Sequence, residues 1–269
     1  MTITSTMDTR RADTVEANQT SVERAVRHIK EHLEEPLDLD HIARIAAVSK
    51  FHFVRVFDEV TGTTPHHFLA CVRMQRAKEL LLKSELSITD VCMAVGYSSL
   101  GTFSKTFSEL VGFSPQEFRA MPKRLSAKQF ATAIWRYLAA RKEIVGARIV
   151  GVVEGPKQPR GFTFVGTFTR GVPLGVPFSG TVMVRHGKFC IERPEVPEFH
   201  LLAALVPLSA KLADMVSNIP ISLVASLRVQ GSDSSGPNEF RLRLRPLRLT
   251  DPPIVLALPA LPPLRLGSS

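Results

Sequence analysis

The segments VTGTTPHHF (residues 60–68) and LVGFSPQEF (residues 110–118) repeat one pattern of residues at a distance of 50 positions. In each copy a glycine precedes a hydroxyl residue and a proline. Glycine just past a helix end can adopt the left-handed conformation that caps the helix, and Thr or Ser before Pro caps the next one. Each segment therefore predicts the end of one helix and the start of another. The matching positions are Gly62 and Gly112, Thr64 and Ser114, Pro65 and Pro115, and Phe68 and Phe118.

The repeat continues upstream, where LDLDHIARIAAVS (residues 37–49) matches LSITDVCMAVGYS (residues 86–98). Each copy predicts a short helix that begins at Asp38 or Ser87 and ends in a tight turn, at residues 47–48 or 96–97. A second, amphipathic helix follows each turn, because apolar residues recur there at the spacing of one helix face. These residues are Phe53, Val56, Phe57 and Val60 in the first copy, and Phe103, Phe107 and Leu110 in the second.

A helix, a short turn and an amphipathic helix form the helix-turn-helix pattern, whose second helix fits the major groove of DNA. The connector between the copies, residues 64–84, predicts one continuous helix of about 20 residues that spans ~30 Å. One turn of duplex DNA measures ~34 Å. We therefore expect a monomer to place two recognition helices in successive major grooves.

Residues 21–124 resemble the DNA-binding module of the AraC/XylS-type transcriptional regulators. The resemblance depends on GYSSLGTFSKTFSELVGFSPQEFR (residues 96–119) and on VRMQRAKELL (residues 72–81) in the connector. It implies a seven-helix module in which the first helix packs against the first half through Val22, Val26, Ile29 and Leu33. Most members of that family carry the module at the C-terminus, whereas about 145 residues follow it here.

The resemblance also implies which residues contact DNA, and it directs residues 51, 54 and 55 toward the bases. Arg55 can form a bidentate contact with guanine, while Phe51 and Val54 suit thymine methyl groups. In the second copy Gly101 has no side chain where Phe51 stands, and Lys105 replaces the planar fork of Arg55. We expect the second helix to read sequence less sharply and to anchor phosphates. The full expected DNA-binding set is Lys50, Phe51, Val54, Arg55, Ser99, Leu100, Gly101, Ser104 and Lys105.

The second half of the chain loses the helical period after a predicted connecting helix over residues 125–145. Seven or eight short apolar or alternating segments follow, and Gly and Pro separate them, which favours an all-β sandwich. The run from residue 153 to residue 205 also resembles carboxypeptidase-regulatory and transthyretin-like Greek-key domains. The expected fold is multidomain: a disordered tail (1–20), an all-α double helix-turn-helix module (21–124), the connecting helix, and a β-sandwich-like regulatory or interaction domain (146–269).

The net charge of +9 does not by itself locate a DNA site. Residues 21–125 hold 14 basic and 13 acidic residues, whereas residues 126–269 hold 18 and 9. A basic solvated surface on the second half is therefore an open alternative to a nucleic-acid contact. Three scattered cysteines suit a reducing compartment, and the N-terminus lacks the apolar core of a signal peptide. We expect a cytoplasmic, nucleoid-associated bacterial protein.

Several other groups of residues have both a functional and a purely structural interpretation. Arg241, Arg243 and Arg245 are expected on one strand face, as an anion contact or, more often, a solvated surface. His28, His32 and Glu35 have a spacing that can hold a metal, although exposed helix surface is the more frequent outcome. The helix around Trp135 carries basic residues that suit either phosphate contacts or a linker. Cys71 and Cys92 are expected as buried apolar fillers, and Cys190 as an inert thiol on a strand.

The sequence favours a transcriptional regulator that binds double-stranded promoter DNA, with RNA polymerase as a further partner. A small-molecule effector or protein partner is expected at the C-terminal domain, and no membrane. No catalytic, metal or cofactor site is predicted, because no nucleophile elbow, P-loop or zinc-protease motif is present. The alternative is a DNA-targeted enzyme or an interaction protein in which the C-terminal β-domain carries the main activity. Binding of a DNA duplex with base-pair preference would distinguish the transcriptional regulator from the DNA-targeted enzyme and from the interaction protein.

Overall fold

The computed structural model describes residues 3–124, 132, 147–156, 161–171, 173, 177–207, 221, 223–230 and 239–255. Seven helices within these ranges precede eight strands. No helix in this part of the chain has both the length and the apolar composition needed to span a bilayer. The connecting helix expected over residues 125–145 lies, apart from Thr132, outside the described residues. The helices are α1 Ile3–Glu31, α2 Leu39–Ile45, α3 Lys50–Thr61, α4 Pro65–Lys83, α5 Ile88–Ala94, α6 Leu100–Val111 and α7 Pro115–Arg124.

The N-terminus differs from the sequence prediction. We expected residues 1–20 to form a disordered tail, whereas α1 begins at Ile3 and runs without interruption to Glu31. The stretch before Val22 has no apolar period, but it contains no Gly or Pro either. Once the packed turns from Val22 to Ile29 nucleate a helix, adding further residues at its end is far less costly than starting one.

Two helix-turn-helix units lie where the repeat predicts them. The first unit is α2 with α3, and the second unit is α5 with α6. Their turns contain a left-handed residue at the matching position, Ala47 with φ 58° and Gly96 with φ 81°. Gly62 and Gly112 end α3 and α6 in the same left-handed conformation, as the sequence predicts. The repeat in the sequence is therefore a repeat of backbone conformation.

The first unit has its own apolar core, which α1 and α4 complete. Val22, Val26 and Ile29 of α1 are buried in it beside Phe53 and Phe57 of α3. The predicted packing of the first helix on this half is confirmed, with Leu33 partly buried at its edge. The rings of Phe53, Phe57 and Phe68 meet edge to face, an arrangement that aromatic pairs prefer.

The β-rich region contains two sheets. β4, β1 and β7 form a three-stranded sheet, and β3, β2, β5, β6 and β8 form a five-stranded one, in those orders. The pair β1–β7 is parallel and all other pairs are antiparallel. The strands are β1 Arg148–Glu154, β2 Gly161–Phe168, β3 Gly180–Met183, β4 Lys188–Glu192, β5 Glu198–Pro207, β6 Leu223–Gln230, β7 Phe240–Arg243 and β8 Arg245–Pro246.

The segment FRLRLRP (residues 240–246) is divided between the two sheets. We expected Arg241, Arg243 and Arg245 on one strand face, but Arg245 belongs to β8 of the five-stranded sheet. A break at Leu244 separates β7 from β8, so the alternation in the sequence does not continue through one strand. The segment PIVLALP (residues 253–259) is the last of the apolar segments that the sequence predicts as strands, and its described part, residues 253–255, is not a strand.

The five-stranded sheet is buried on both faces. One face shares a cluster with the three-stranded sheet, where Val165 and Leu201 meet Ile149 and Leu242. The other face, which carries Phe164, shares a cluster with the second unit and α4. β2 is accordingly buried along its whole length, which explains why GFTFVGTF shows no alternation of exposed polar residues. The helical module and the β-rich region are thus joined by a common core.

Candidate nucleic-acid interface

Helix α3 presents a narrow exposed face opposite its buried residues. Its N-cap, Ser49, starts the helix two residues after the left-handed Ala47, and the first two turns bury Phe53 and Val56 in the core of the first unit. Lys50 and Arg55 are exposed and Val54 is half-buried. Phe51 is 89% exposed, the highest value among the exposed large apolar side chains of the described residues. Single exposed apolar side chains are common on protein surfaces, so the exposure of Phe51 is informative only together with the exposed Lys50 and Arg55 on the same helix.

The charged residues of this face have exposed partners in the free protein. Lys50 Nζ lies 2.8 Å from Asp40, and Arg55 Nη1 lies 3.3 Å from Glu59. Arg55 Nη2 is also 3.1 Å from Nδ1 of His52. Exposed ion pairs contribute only about 0–1 kcal/mol. Arg55 can therefore exchange these partners for a base edge or a phosphate at little cost.

Helix α6 presents the matching face with a different chemistry. Ser99 caps the helix by accepting a hydrogen bond from the Thr102 amide, and Leu100 is exposed beside it. Gly101 is exposed and a Cβ there would meet nothing closer than 3.8 Å, so the position has room for a side chain. Lys105 is exposed and lies 4.0 Å from Glu109.

The nine predicted contact residues thus fall at the starts of two equivalent helices. The structure brings each set together on its own helix, with Val54 and Ser104 half-buried and the other seven exposed. Two neighbouring positions are absent from the predicted set. His52 lies next to Arg55, and Thr102 is exposed on α6 at the position that matches His52. The 50-residue offset that pairs Phe51 with Gly101 also pairs His52 with Thr102. The repeat in the sequence could therefore have identified both positions as neighbours of the predicted contact residues.

Helix α4 holds the two units apart. It contains 19 residues, which corresponds to about 28 Å of helix. Ten of its residues are buried, and they contribute to the cores of both units. Thr64 accepts a hydrogen bond from the His67 amide and Pro65 occupies the first turn, as the Thr-Pro pair in the sequence predicts. A buried helix of this kind is a rigid spacer.

Arg73 of α4 fixes the second unit against the end of α1. Its Nε and Nη2 atoms donate to the carbonyl oxygens of Leu33 and Glu35, each at 2.8 Å. Its guanidinium lies 5.5 Å from the centre of the Tyr97 ring. A Cβ on Gly96 would lie 2.6 Å from Leu33 O and 2.7 Å from Arg73 Nη2. Gly96 is therefore required by its backbone conformation and by this close contact together.

The β-rich region also reaches the C-terminal end of α3. Gly171 lies against Gly62, and Arg170 donates a hydrogen bond to Nδ1 of His67 at the start of α4. Burial, then Arg170 and His66, lower the pKa of His67, so its ring is a neutral acceptor at neutral pH. On β5, burial lowers the pKa of His200, and Asp58 of α3 is among the charges that oppose this shift. The sheets therefore contact the first unit as well as the second.

The arginine-rich segment is largely paired within the protein. Arg241 and Arg243 share the carboxylate of Glu154, at 3.4 and 2.7 Å. Arg245 forms two hydrogen bonds with Asp251, at 2.6 and 2.8 Å. These pairs make the segment a weaker anion-binding surface than its sequence indicates. The basic helix around Trp135 lies outside the described residues.

The histidines of α1 take part in a contact between helices. Nε2 of His28 lies 3.1 Å from Nε2 of His41 on α2, and the rings of His28 and His32 stack at 4.2 Å. Burial, followed by His32 and His41, lowers the pKa of His28. Within the described residues, no group of three or more His, Cys, Asp or Glu side chains is arranged to hold a metal. His28 and His32 are half-buried rather than the exposed surface that we expected.

The cysteines differ in their surroundings. Cys71 and Cys92 are buried, as predicted, and burial raises the pKa of Cys71 to about 12 and that of Cys92 in the same direction. Their thiols are therefore protonated and unreactive at neutral pH. Cys190 lies exposed on β4.

Comparison with known proteins agrees with the geometry of the helical module. A family model described as "Helix-turn-helix domain" matches residues 42–121, from the first buried position of α2 to α7. These residues form an AraC-type helix-turn-helix domain. The prediction from the sequence motifs is confirmed for this part of the chain.

The curated relatives match over the same region. The MmsAB operon regulatory protein of Pseudomonas aeruginosa is 40% identical over 93 residues, which is 34% of this chain and 30% of that protein. The transcriptional regulator GbdR of the same species is 32% identical over 102 residues, 38% of this chain and 28% of that protein. This chain thus spans less than a third of the length of these relatives.

Solved structures similar to the chain cover the helical module as well. The C-terminal domain of AraT, a response regulator from Geobacillus stearothermophilus, is 34% identical over 37% of this chain and 83% of its own, with a TM-score of 0.36. The DNA-binding domain of the global transcriptional factor AdpA, solved with a target DNA, is 31% identical over 37% of this chain and 89% of its own, with a TM-score of 0.36.

Proposed function

We propose that this protein is a sequence-specific transcriptional regulator that binds promoter DNA through both helix-turn-helix units of its AraC-type domain. The observation that carries the proposal is the pair of matching recognition helices, α3 and α6, whose buried faces leave their starts exposed. α3 and α6 would occupy successive major grooves on one side of the duplex, because α4 supplies a spacer close to one helical turn of DNA.

The first unit supplies base recognition. Arg55 presents a planar fork that suits O6 and N7 of guanine, and Phe51 and Val54 offer apolar contacts to thymine methyl groups. Lys50, at the start of the same helix, is placed to bind the adjoining phosphates. The exposure of Phe51 supports this assignment, since burial against a base would remove its apolar surface from water.

The second unit binds the DNA phosphates more than it discriminates between bases. Ser99, Leu100 and Ser104 line the start of α6, and Gly101 leaves a gap where Phe51 stands in α3. Lys105 acts as a point charge toward phosphate and lacks the two parallel donors of a guanidinium. Its exposed position and its long contact with Glu109 leave it available for this role.

The β-rich region, in our proposal, is a sandwich-like regulatory domain that senses a ligand or contacts another protein such as RNA polymerase. Its support is the core that the five-stranded sheet shares with the second unit and α4. A conformational change in that sheet would alter its packing against α4, the helix that sets the distance between the two recognition helices. The DNA-targeted enzyme is not favoured, because the relatives are named as regulators.

Hydroxyl-radical footprinting of the full chain on a bound promoter fragment tests the proposal. We expect two protected major-groove faces about one helical turn apart on one side of the duplex, with one chain per site. Protection of a single groove, or binding that requires two chains per site, would contradict it. Arg55→Ala and Lys188→Ala serve as a matched pair, since each removes an exposed basic side chain and Lys188 lies on β4 of the three-stranded sheet, where it pairs with Glu239.

A further inference from the structure

The end of the described chain crosses the helical module. Residues 247–255, which we call the strap, follow β8 and contact α1 and α4. Lys30 Nζ of α1 donates to Leu249 O at 3.1 Å, and Lys78 Nζ of α4 donates to Val255 O at 3.0 Å. Lys78 is fully buried, and its Nζ atom lies 5.7 Å from the centre of the Phe118 ring. The strap therefore seals a polar group of the spacer helix from water.

A cleft separates the strap from the five-stranded sheet. Phe164, Phe168 and Val224 line it from the sheet, and Leu247, Pro252 and Ile254 line it from the strap. The space between these walls is partly open to solvent, and its lining is concave and mostly apolar, as it is in small-molecule sites.

The polar groups of the cleft define the chemistry of an occupant. Arg245 and Asp251 also line the cleft, but they are joined by two hydrogen bonds and their opposite charges compensate, so neither offers a free charge. Ser226 faces the cleft from β6, is exposed, and makes no side-chain hydrogen bond with any described residue. An uncharged ligand with one hydrogen-bonding group fits this lining, whereas a charged ligand would lose its hydration without compensation.

We propose that this cleft is a binding site for a small, uncharged, mainly apolar molecule, and that the strap couples its occupancy to α4. The strap forms a wall of the cleft on one side and contacts α1 and α4 on the other. A molecule that adds apolar contacts to Leu247, Pro252 and Ile254 favours the docked strap, and a ligand shifts an equilibrium toward the state that it binds better. The coupling to DNA rests on the proposed regulator function, whereas the binding site does not.

Titration of the full chain with the uncharged fluorophore N-phenyl-1-naphthylamine tests the site. Saturable fluorescence enhancement at one molecule per chain is expected. Ser226→Phe should weaken binding about tenfold or more by filling the cleft, and Gln230→Phe should not, because it lies on the same face of β6 outside the lining. Leu247→Ser, at an exposed position of the strap, should also weaken binding and provides a second variant if Ser226→Phe does not fold. Absence of saturable binding, or equal affinity in the lining and control variants, overturns the site.

The coupling is tested by DNA titrations with and without saturating fluorophore. The DNA dissociation constant should change about fivefold or more in the native chain, and the change should be lost in Lys78→Met, which removes the donor to Val255 O. An unchanged dissociation constant in the native chain overturns the coupling. If no DNA is bound under either condition, the regulator proposal fails, while the fluorescence titration still decides the binding site.

Discussion

The two helix-turn-helix units share their backbone design and differ in what surrounds it. The first unit closes its core with α1 and carries the chemically richer exposed face, with Phe51 and Arg55. The second unit shares its core with the five-stranded sheet and exposes Gly101 and Lys105 at the matching positions. Two units with the same backbone can therefore carry different exposed residues, because the exposed face and the packed face are different sides of one helix.

We propose that the two units have different roles in DNA binding. In this proposal the first unit discriminates bases, and the second unit holds the DNA backbone and packs against the β-rich region. The turns of the two units, their ionisable groups and their exposed faces each provide a way to test the comparison.

The turns give the largest expected effect. Gly96→Ala places a Cβ at a φ of 81° and 2.6 Å from Leu33 O, a backbone atom that cannot move aside easily. The free energy of unfolding should fall by about 2–4 kcal/mol, measured by urea denaturation. The matching change Ala47→Gly, at φ 58° on an exposed turn, should alter it by less than about 1 kcal/mol. Equal losses in the two variants would show that the close contact at the second turn is unimportant.

The core of the second unit contains an ionisable group that has no equivalent among the described residues of the first. Burial lowers the pKa of Lys78 from 10.5 to about 7. Between these values the unfolded chain binds a proton that the folded chain lacks, so the free energy of unfolding should rise with pH above about 7 and stay flat below it. Urea denaturation at pH 7, 8 and 9 should show this rise in the native chain and a smaller one in Lys78→Met. Parallel profiles would mean that Lys78 is protonated in the folded state.

Arg55 tests the exposed face of the first unit. Arg55→Ala should cost about 1–3 kcal/mol of binding free energy, mainly at one half-site, and relax base preference there. Arg55→Lys keeps the charge and loses the fork, so it should retain affinity for phosphate while still losing base preference. Titration against duplexes with single base substitutions measures both effects. Unchanged base preference in Arg55→Ala would place base recognition elsewhere on α3.

Lys105 tests the second unit and should give the smallest effect. Lys105→Ala should weaken binding by a similar factor on all sequences and lower the slope of log affinity against log salt by about one. Affinities measured over a series of salt concentrations provide the slope. A loss confined to particular base sequences would instead make α6 a base reader.

The helical module was accessible to sequence reasoning because its signals are local. The capping residues, the left-handed turn positions and the buried spacing of Phe53, Phe57, Phe103 and Phe107 each depend on neighbours within one or two helical turns. Ser87 and Asp90 form a capping box, a local pattern in which an acidic residue follows a hydroxyl residue by three positions. The exposed faces follow from the same periodicity, so the candidate contact residues could be placed on them.

For the β-rich region, the sequence predicted the presence of strands but not how they pair. Its pairing includes a parallel contact between β1 and β7, which are about 90 residues apart, and no local pattern specifies such a partner. The division of residues 240–246 between two sheets, the strap and the shared core with α4 have the same origin. The helix over residues 3–20 was missed for a different reason, because a polar helix extended from a packed one leaves no apolar period.

Selection of bound sites from random duplexes by the full chain tests whether the two units differ in base recognition. We expect two half-sites about one helical turn apart with unequal information content, and crosslinking from α3 should map to the richer half-site. Arg55→Ala should flatten that half-site alone. Two half-sites of equal information content, or a richer half-site under α6, would contradict the different roles proposed for the two units.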